Sequence, residues 1–235
     1  MTTSLRLTRR DQPELLDLGH GSLADVHDNL AEMWHINRRL GGFRALTRHL
    51  YPRLKAWPGP LTIADLGTGS AEALAAVIRW ARRHDLDLTI IAVDWAERNL
   101  DIARTHTVGM PEIRLLRADA NRLPFPPQSV DYVISSLFLH HFAPDPLIGL
   151  LRSAAACARR GVIMSDLVRG WLPLAAFKLV GPIFARNFLT RHDGALSIRR
   201  AYIPEELCAL AGQAGLTQAV IHTHWPWRMT LVADR

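Results

Sequence analysis

Three carboxylates stand where short apolar runs end: Asp65 in LTIADLG, Asp94 in LTIIAVD and Asp119 in IRLLRAD. At the tip of a strand an acid looks into the crevice where ligands bind in open α/β sheets. Its two oxygens can accept charge-assisted hydrogen bonds from both hydroxyls of a ribose, or from an amino group. Gly67 and Gly69 flank Thr68 directly after the first of these acids, in TIADLGTGSAEAL. Glycine lets the backbone turn sharply and approach a ligand where a Cβ would collide. The same glycines would also serve a turn that binds nothing. A dinucleotide would need a third glycine at Glu72, where a carboxylate would repel pyrophosphate. Asp94 can also cap a helix starting at Ala96, and both roles can hold at once. Trp95 could stack on a flat base.

A second group of chemically capable residues lies further on. SSLFLHHF, residues 135–142, sets His140 and His141 after another strand end. Imidazole titrates near neutrality, so either could take a phenol or enol proton. Capping the following turn is the other reading. Asp166, Arg169 and the cluster Arg191-His192-Asp193-Gly194 are further acid–base candidates. His192 beside Asp193 could act as a second base, but a polar turn with Gly194 at positive φ is the favoured reading. No metal is expected. His222 and His224 share one strand face, with no evident third ligand.

The segment RADANRLPFPPQSVDYVISS, residues 117–136, joins these motifs into a family pattern. Together with TIADLGTGS and the strand-end Asp94 it resembles the class I S-adenosylmethionine (SAM) dependent methyltransferases. SSLFLHHF resembles their small-molecule branch, which includes the ubiquinone- and menaquinone-biosynthesis type. The resemblance implies SAM as cofactor. The Gly67-Thr68-Gly69 loop would pack against its amino-acid part and ribose, and Asp65 would help hold its ammonium group. Asp119 would receive the adenine amino group, Ala120 would supply backbone contacts, and Ser136 would face the methyl group. The family's GxGxG ends here on Ala71, a small departure. The Asn/Asp-Pro-Pro-aromatic sequence of nucleic-acid amino-methyltransferases and the Pro-Cys of cytosine C5 enzymes are both absent.

These residues need elements to carry them. Apolar positions Leu23, Val26, Leu30, Met33, Ile36 and Leu40 recur at helical steps, with Ser22 as N-cap and Gly41-Gly42 as stop. A basic helix follows to about Leu54. Strands are then expected at 61–66, 88–93, 113–117, 132–135 and 162–165, alternating with helices at 71–84, 96–107 and 146–159. A helix from Pro204 to about Ala211 precedes strands 218–222 and 229–233, which the tight Trp225-Pro226-Trp227 turn forces antiparallel. The expected fold is α/β: a Rossmann-like, seven-stranded methyltransferase sheet, mostly parallel with an antiparallel C-terminal hairpin, and helices on both faces. Residues 1–57 would form a helical cap and 58–235 the SAM-binding domain, with 167–202 as a lid-like insertion.

Bulk properties set the limits. A chain of 235 residues, half of them apolar, can bury a large core and is not disordered. Cys157 and Cys208 lie in Ala-rich surroundings, which favours buried thiols. The opening residues lack a signal peptide's apolar run, so a cytoplasmic protein is expected. From His35 to Trp57 there are six Lys/Arg and no acid. This reads as a solvated helix face, with RNA modification as an alternative. Residues 171–190 have the length of a span but carry Pro173, Pro182, Lys178 and Arg186, so a lid over a greasy ligand or an interfacial helix fits better. The leading expectation is O- or C-methylation of a small lipophilic acceptor, phenolic, quinonoid or polyketide-like as in secondary metabolism. Transient membrane contact is compatible with it, and a nucleic-acid partner is disfavoured. A non-catalytic SAM-binding protein is the remaining alternative.

Overall fold

A computed structural model describes residues 7–235. Helices α1 (Leu23–Arg39) and α2 (Gly42–Lys55) come first. Then β1 (Leu61–Leu66), α3 (Glu72–Arg82), β2 (Leu88–Asp94), α4 (Glu97–His106), β3 (Ile113–Arg117), β4 (Val130–Ser136), α5 (Pro144–Cys157) and β5 (Ala158–Leu167) follow in order. Helices α6 (Trp171–Phe184), α7 (Phe188–Arg200) and α8 (Pro204–Gln213) precede the hairpin of β6 (Val220–His224) and β7 (Arg228–Asp234).

Local chemistry accounts for the helix ends. The Ser22 hydroxyl accepts the Asp25 N–H at 3.2 Å, and the Asp25 carboxylate accepts the Ser22 N–H at 2.9 Å. This capping box satisfies donors that the first turn of α1 leaves free. Gly41, at φ +76°, lets the chain reverse from α1 into α2, a conformation costly for other residues.

The strands form one seven-stranded sheet in the order β3-β2-β1-β4-β5-β7-β6. The first five run parallel, and β7 lies antiparallel between β5 and β6. Since β1 pairs with both β2 and β4, the winding reverses there and leaves a crevice beyond the carboxyl ends of those strands. Period-two alternation builds the two faces. Ile63, Ile134, Ile163 and Val232 face Leu46, Leu50 and Leu54 of α2 and Val77 and Ile78 of α3. Ala64, Val133, Val162 and Leu231 face Leu147, Leu150 and Leu151 of α5 and Leu207 and Leu210 of α8. Each of the Val, Leu and Ile side chains among them contributes about 1.5–3 kcal/mol by leaving water.

Several boundaries move for identifiable reasons. Helix α5 yields at Cys157 rather than Arg159 because Ala158 pairs with Val130, and Arg160 then clasps Asp131 at 3.0 Å. Cys208 is exposed, whereas Cys157 is buried, which corrects the expectation for the former. The cluster around Gly194 is no turn, because it lies inside α7. A Cβ on Gly194 would sit 2.3 Å from Phe177 Cζ, so this glycine serves the close approach of α6 to α7. In the basic stretch Arg38, Arg39, Arg44, Arg48 and Lys55 are solvated, while Arg53 Nε donates to Asp234 at 2.7 Å.

Candidate functional site

The carboxyl ends of β1, β2 and β4 open into a cavity of about 740 Å³, of a size that holds a nucleoside and a small acceptor. Its roof is N-terminal: Leu16, Asp17 and Gly19 before α1, then Leu30, Met33, Trp34 and Asn37 on α1. No residue of α6 or α7, the segment expected as a lid at 167–202, is among its lining. Apolar content alone says that a segment wants cover, not which surface supplies it. Helix α7 instead buttresses the roof from outside. Leu189 packs with Val26 and Leu30, and Asn29 Nδ2 donates to Thr190 Oγ1 at 3.0 Å.

The glycine turn is built for close approach. Gly67 and Gly69 have φ of +72° and +56°, and a Cβ on Gly67 would fall 2.2 Å from Phe138 Cδ2. Ala71 also adopts a left-handed φ of +57°, the position where the family pattern has glycine. Asp65 is buried at the end of β1. Burial pushes its carboxyl up to about 7, the Asp94 charge adding to this and the nearby Thr68 hydroxyl opposing it. Asp94 is also raised by burial, against donors that favour its charged form. Its Oδ2 accepts the Gly69 N–H at 2.9 Å, and its Oδ1 accepts the Ala96 N–H at 2.9 Å. It therefore braces the turn and the start of α4 together.

Asp119 caps a short 3-10 turn, with Oδ1 accepting the Asn121 N–H at 2.8 Å while the other oxygen has no donor among the described residues. Ala120 is buried at that turn. Trp95 is 67% exposed at the cavity rim, with the Arg117 guanidinium 5.9 Å from its ring centre. Ser136 ends β4 and accepts from Asn37 Nδ2 at 3.2 Å. All nine positions expected to hold the cofactor line this cavity: Asp65, Gly67, Thr68, Gly69, Asp94, Trp95, Asp119, Ala120 and Ser136.

Unmet polar groups test whether an adenosyl amino acid fits. Among the described residues six buried side-chain polar atoms lack a hydrogen-bond partner, and three of them, Asn37 Oδ1, Asn99 Oδ1 and Thr68 Oγ1 (beside Asp65), belong to residues that line the cavity. Orphaned buried groups are rare and point to a missing polar ligand. With one free oxygen on Asp119 and two buried carboxyls on strand tips, the donor and acceptor set suits a ribose, an exocyclic amine and an ammonium.

The histidines separate into different roles. His140 is buried and walled by carboxylates: Nδ1 lies 2.7 Å from Asp166 Oδ1, and Nε2 lies 3.5 Å from Glu14 Oε1. Burial alone would lower its pKa, but those two acids overcome it and push the ring up to about 10. Both acids are in turn held down, chiefly by His140 against the effect of burial. His141 lines the cavity, and its Nδ1 meets Asp17 Oδ2 at 3.0 Å. Burial would raise Asp17, but His141 and Arg200 bring it down to about 2. Arg200 also donates to the carbonyls of His140 at 3.1 Å and His141 at 2.6 Å, fixing the turn that presents both rings.

His192 does not join the site. It lies on α7 outside the cavity, half exposed, with Nδ1 2.8 Å from Asp193. Asp193 accepts the N–H groups of Leu15 and Leu16 at 2.9 and 3.1 Å and so anchors the roof. Arg169 is structural, binding the Leu7 and Ala201 carbonyls and Glu206. Among the described residues, Glu14, His140 and His141 alone bring three potential metal-ligand atoms within 4.8 Å of one another. A proton on His140 already meets that set's need for positive charge. His224 acquires a neighbour in His49, with Nε2 atoms 3.2 Å apart, a proximity that chain spacing could not reveal. Glu14, Asp17, Asn37 and Asn99 were missed because no motif marks them; Phe138 lies within SSLFLHHF, and Asn99, five residues beyond Asp94, carried a positional signal.

Residues 63–161 match the family model described as a methyltransferase domain. Demethylmenaquinone methyltransferase of Staphylococcus aureus is 28% identical over 106 residues, covering 42% of this chain and 44% of that protein. The chain thus spans less than half the length of the curated relatives it matches. A SAM-dependent methyltransferase from Aquifex aeolicus superposes with a TM-score of 0.60 at 12% identity, over 92% of this chain and 99% of the other. Magnesium protoporphyrin IX methyltransferase from Synechocystis, solved with bound SAH, gives 0.57 at 18% identity over 84% of both chains. A carbon methyltransferase gives 0.60 at 12% identity over 79% of this chain and 51% of that one. At these identities the structural likeness establishes the fold.

Proposed function

We propose that this chain, whose residues 63–161 match a methyltransferase domain, is a class I SAM-dependent enzyme that methylates a small, largely apolar acceptor, with His141 drawing off the acceptor's proton. The observation that carries this reading is the Asp17–His141 pair on the wall of the glycine-turn cavity. SAM would supply an electrophilic methyl on a sulfonium: the acceptor's oxygen or activated carbon would bond to that methyl as its bond to sulfur breaks, with S-adenosylhomocysteine as the leaving group. The protein's share is to hold the reactants close and aligned, to exclude water and to accept a proton. Asp94 and Asp119 would hold the ribose and adenine, and Asp65 the ammonium. Leu16, Leu30, Met33, Trp34, Phe138 and Phe142 supply apolar walls around the remaining space, which favours a phenolic, quinonoid or polyketide-like molecule over a charged one. Asp17 holds His141 by Nδ1 at 3.0 Å, while Nε2 stands 3.9 Å from Glu14 Oε2 and would be the ring atom that takes the acceptor's proton. Arg200 holds the dyad in place.

The test is incubation with methyl-labelled SAM and a panel of alkylphenols and quinols, beside RNA and protein. Label should enter the small phenolic compounds, and His141→Gln should lower kcat by about 10²–10⁴-fold with SAM affinity unchanged. Transfer to RNA or protein alone would refute the substrate class.

A further inference from the structure

The apolar segment 171–190 turns away from the cavity, and its outward face requires its own account. Helix α6 buries Pro173, Leu174 and Gly181 against the protein. On the opposite side Leu172, Leu179 and Ile183 recur at seven and four residues and are 72%, 81% and 66% exposed. Trp171, Val180 and Phe184 lie beside them, and exposed Phe188 opens α7. Scattered exposed apolar residues are ordinary, whereas a continuous ridge marks an interaction surface.

The charges around the ridge choose its partner. From Leu167 to His192 the chain has no Asp or Glu, but it has Arg169, Lys178, Arg186 and Arg191. Arg169 is buried, and the other three are exposed. Glu32 of α1 reaches this corner. Its carboxylate accepts the Arg186 and Asn187 N–H groups at 2.9 and 3.1 Å, so it serves the bend between α6 and α7. A second copy docking on the same ridge would repeat the same cations across a two-fold contact, with no carboxylate from either ridge to meet them. No helix among the described residues is long and apolar enough to cross a membrane.

We propose that α6 and its corner with α7 dock in the plane of an anionic bilayer surface, independently of which molecule is methylated. Leu172, Leu179, Ile183 and the aromatic side chains enter the acyl boundary, and Lys178, Arg186 and Arg191 meet headgroup phosphates. An apolar face and a basic rim together provide the two signals that stable peripheral binding needs. Because α7 packs on α1, docking sets the roof of the cavity beside the lipid, on the side from which a greasy molecule would arrive.

The experiment is co-flotation of the full chain with vesicles of phosphatidylcholine alone or mixed with phosphatidylglycerol. Binding to the anionic vesicles should be at least tenfold stronger and should fall with added salt, as expected for about 1 kcal/mol per basic residue at such a surface. Leu179→Asp with Ile183→Asp should abolish flotation. Lys178→Glu with Arg186→Glu should reduce it to the phosphatidylcholine level. Both variants should keep wild-type melting temperature and S-adenosylhomocysteine affinity, since the altered side chains are exposed. Flotation equal on both vesicle types, or unchanged in the Asp variant, overturns the proposal. So does light scattering that shows a dimer which the Asp variant converts to monomer.

Discussion

Asp166→Asn decides between the two adjacent histidines. With Asp166 and Glu14 pushing its pKa up to about 10 against burial, His140 is expected to keep its proton at pH 7 and to act as an ion rather than a base. Its rise from 6.5 to about 10 corresponds to on the order of 5 kcal/mol of preference for the charged ring, an upper bound because Glu14 and Asp166 share it. Removing one partner of a buried pair costs about 3–5 kcal/mol. The amide preserves shape but offers one acceptor oxygen where Asp166 has two: Oδ2 now accepts the His140 N–H at 2.9 Å and Oδ1 the Leu167 N–H at 2.7 Å, so one of these N–H groups loses its acceptor as well. The substitution should therefore lower unfolding free energy by about 3 kcal/mol at pH 7, measured by urea titration. The sign with pH follows from a raised histidine. Its stabilisation is complete below the unfolded value near 6.5 and is lost as pH climbs through about 10. Wild type should weaken steadily from about pH 6.5 to about 10, and the gap to Asp166→Asn should narrow over that range. A gap below 1 kcal/mol at pH 7, or one that is no smaller at pH 10.5, would mean that His140 is neutral and could serve as the base after all.

Other perturbations probe the cofactor side. Asp94→Asn should raise the dissociation constant for S-adenosylhomocysteine by about ten- to a hundredfold, because hydrogen bonds to a charged acceptor are worth about 1.5–3 kcal/mol; unchanged calorimetric affinity would remove Asp94 from the site. Gly67→Ala combines a left-handed residue with a Cβ 2.2 Å from the Phe138 ring, so the ring must swing into the cavity. Affinity should drop more than tenfold while thermal stability falls by only about 1–2 kcal/mol. Asp65, with a carboxyl near 7, must be ionised to hold an ammonium. Ligand binding should therefore weaken as pH falls below 7 and release close to one proton at pH 6 but almost none at pH 8. Calorimetry in buffers of different ionisation enthalpy reads that number directly, and identical proton counts at both values would disprove the pairing.

Much of this protein was legible in its chain order, and for a local reason. Strands and helices follow from hydrophobic period, and a glycine turn between a strand and a helix depends on neighbours a few residues away. The alternating elements, the antiparallel hairpin and the glycine-turn cavity with its acids Asp65, Asp94 and Asp119 are all of this kind. Contacts across long stretches of chain are not. Asp17 reaches His141, Glu14 reaches His140, and Asp193 holds Leu15 and Leu16 only after the N-terminal segment folds over the sheet. No spacing rule connects those positions, so the sequence offered both histidines as equal candidates. Burial among carboxylates made one a fixed cation and left the other facing the cavity. The same limit applies to residues 171–190: composition established that the segment is apolar, and only the packing of α6 on α7 decided which face would point outward.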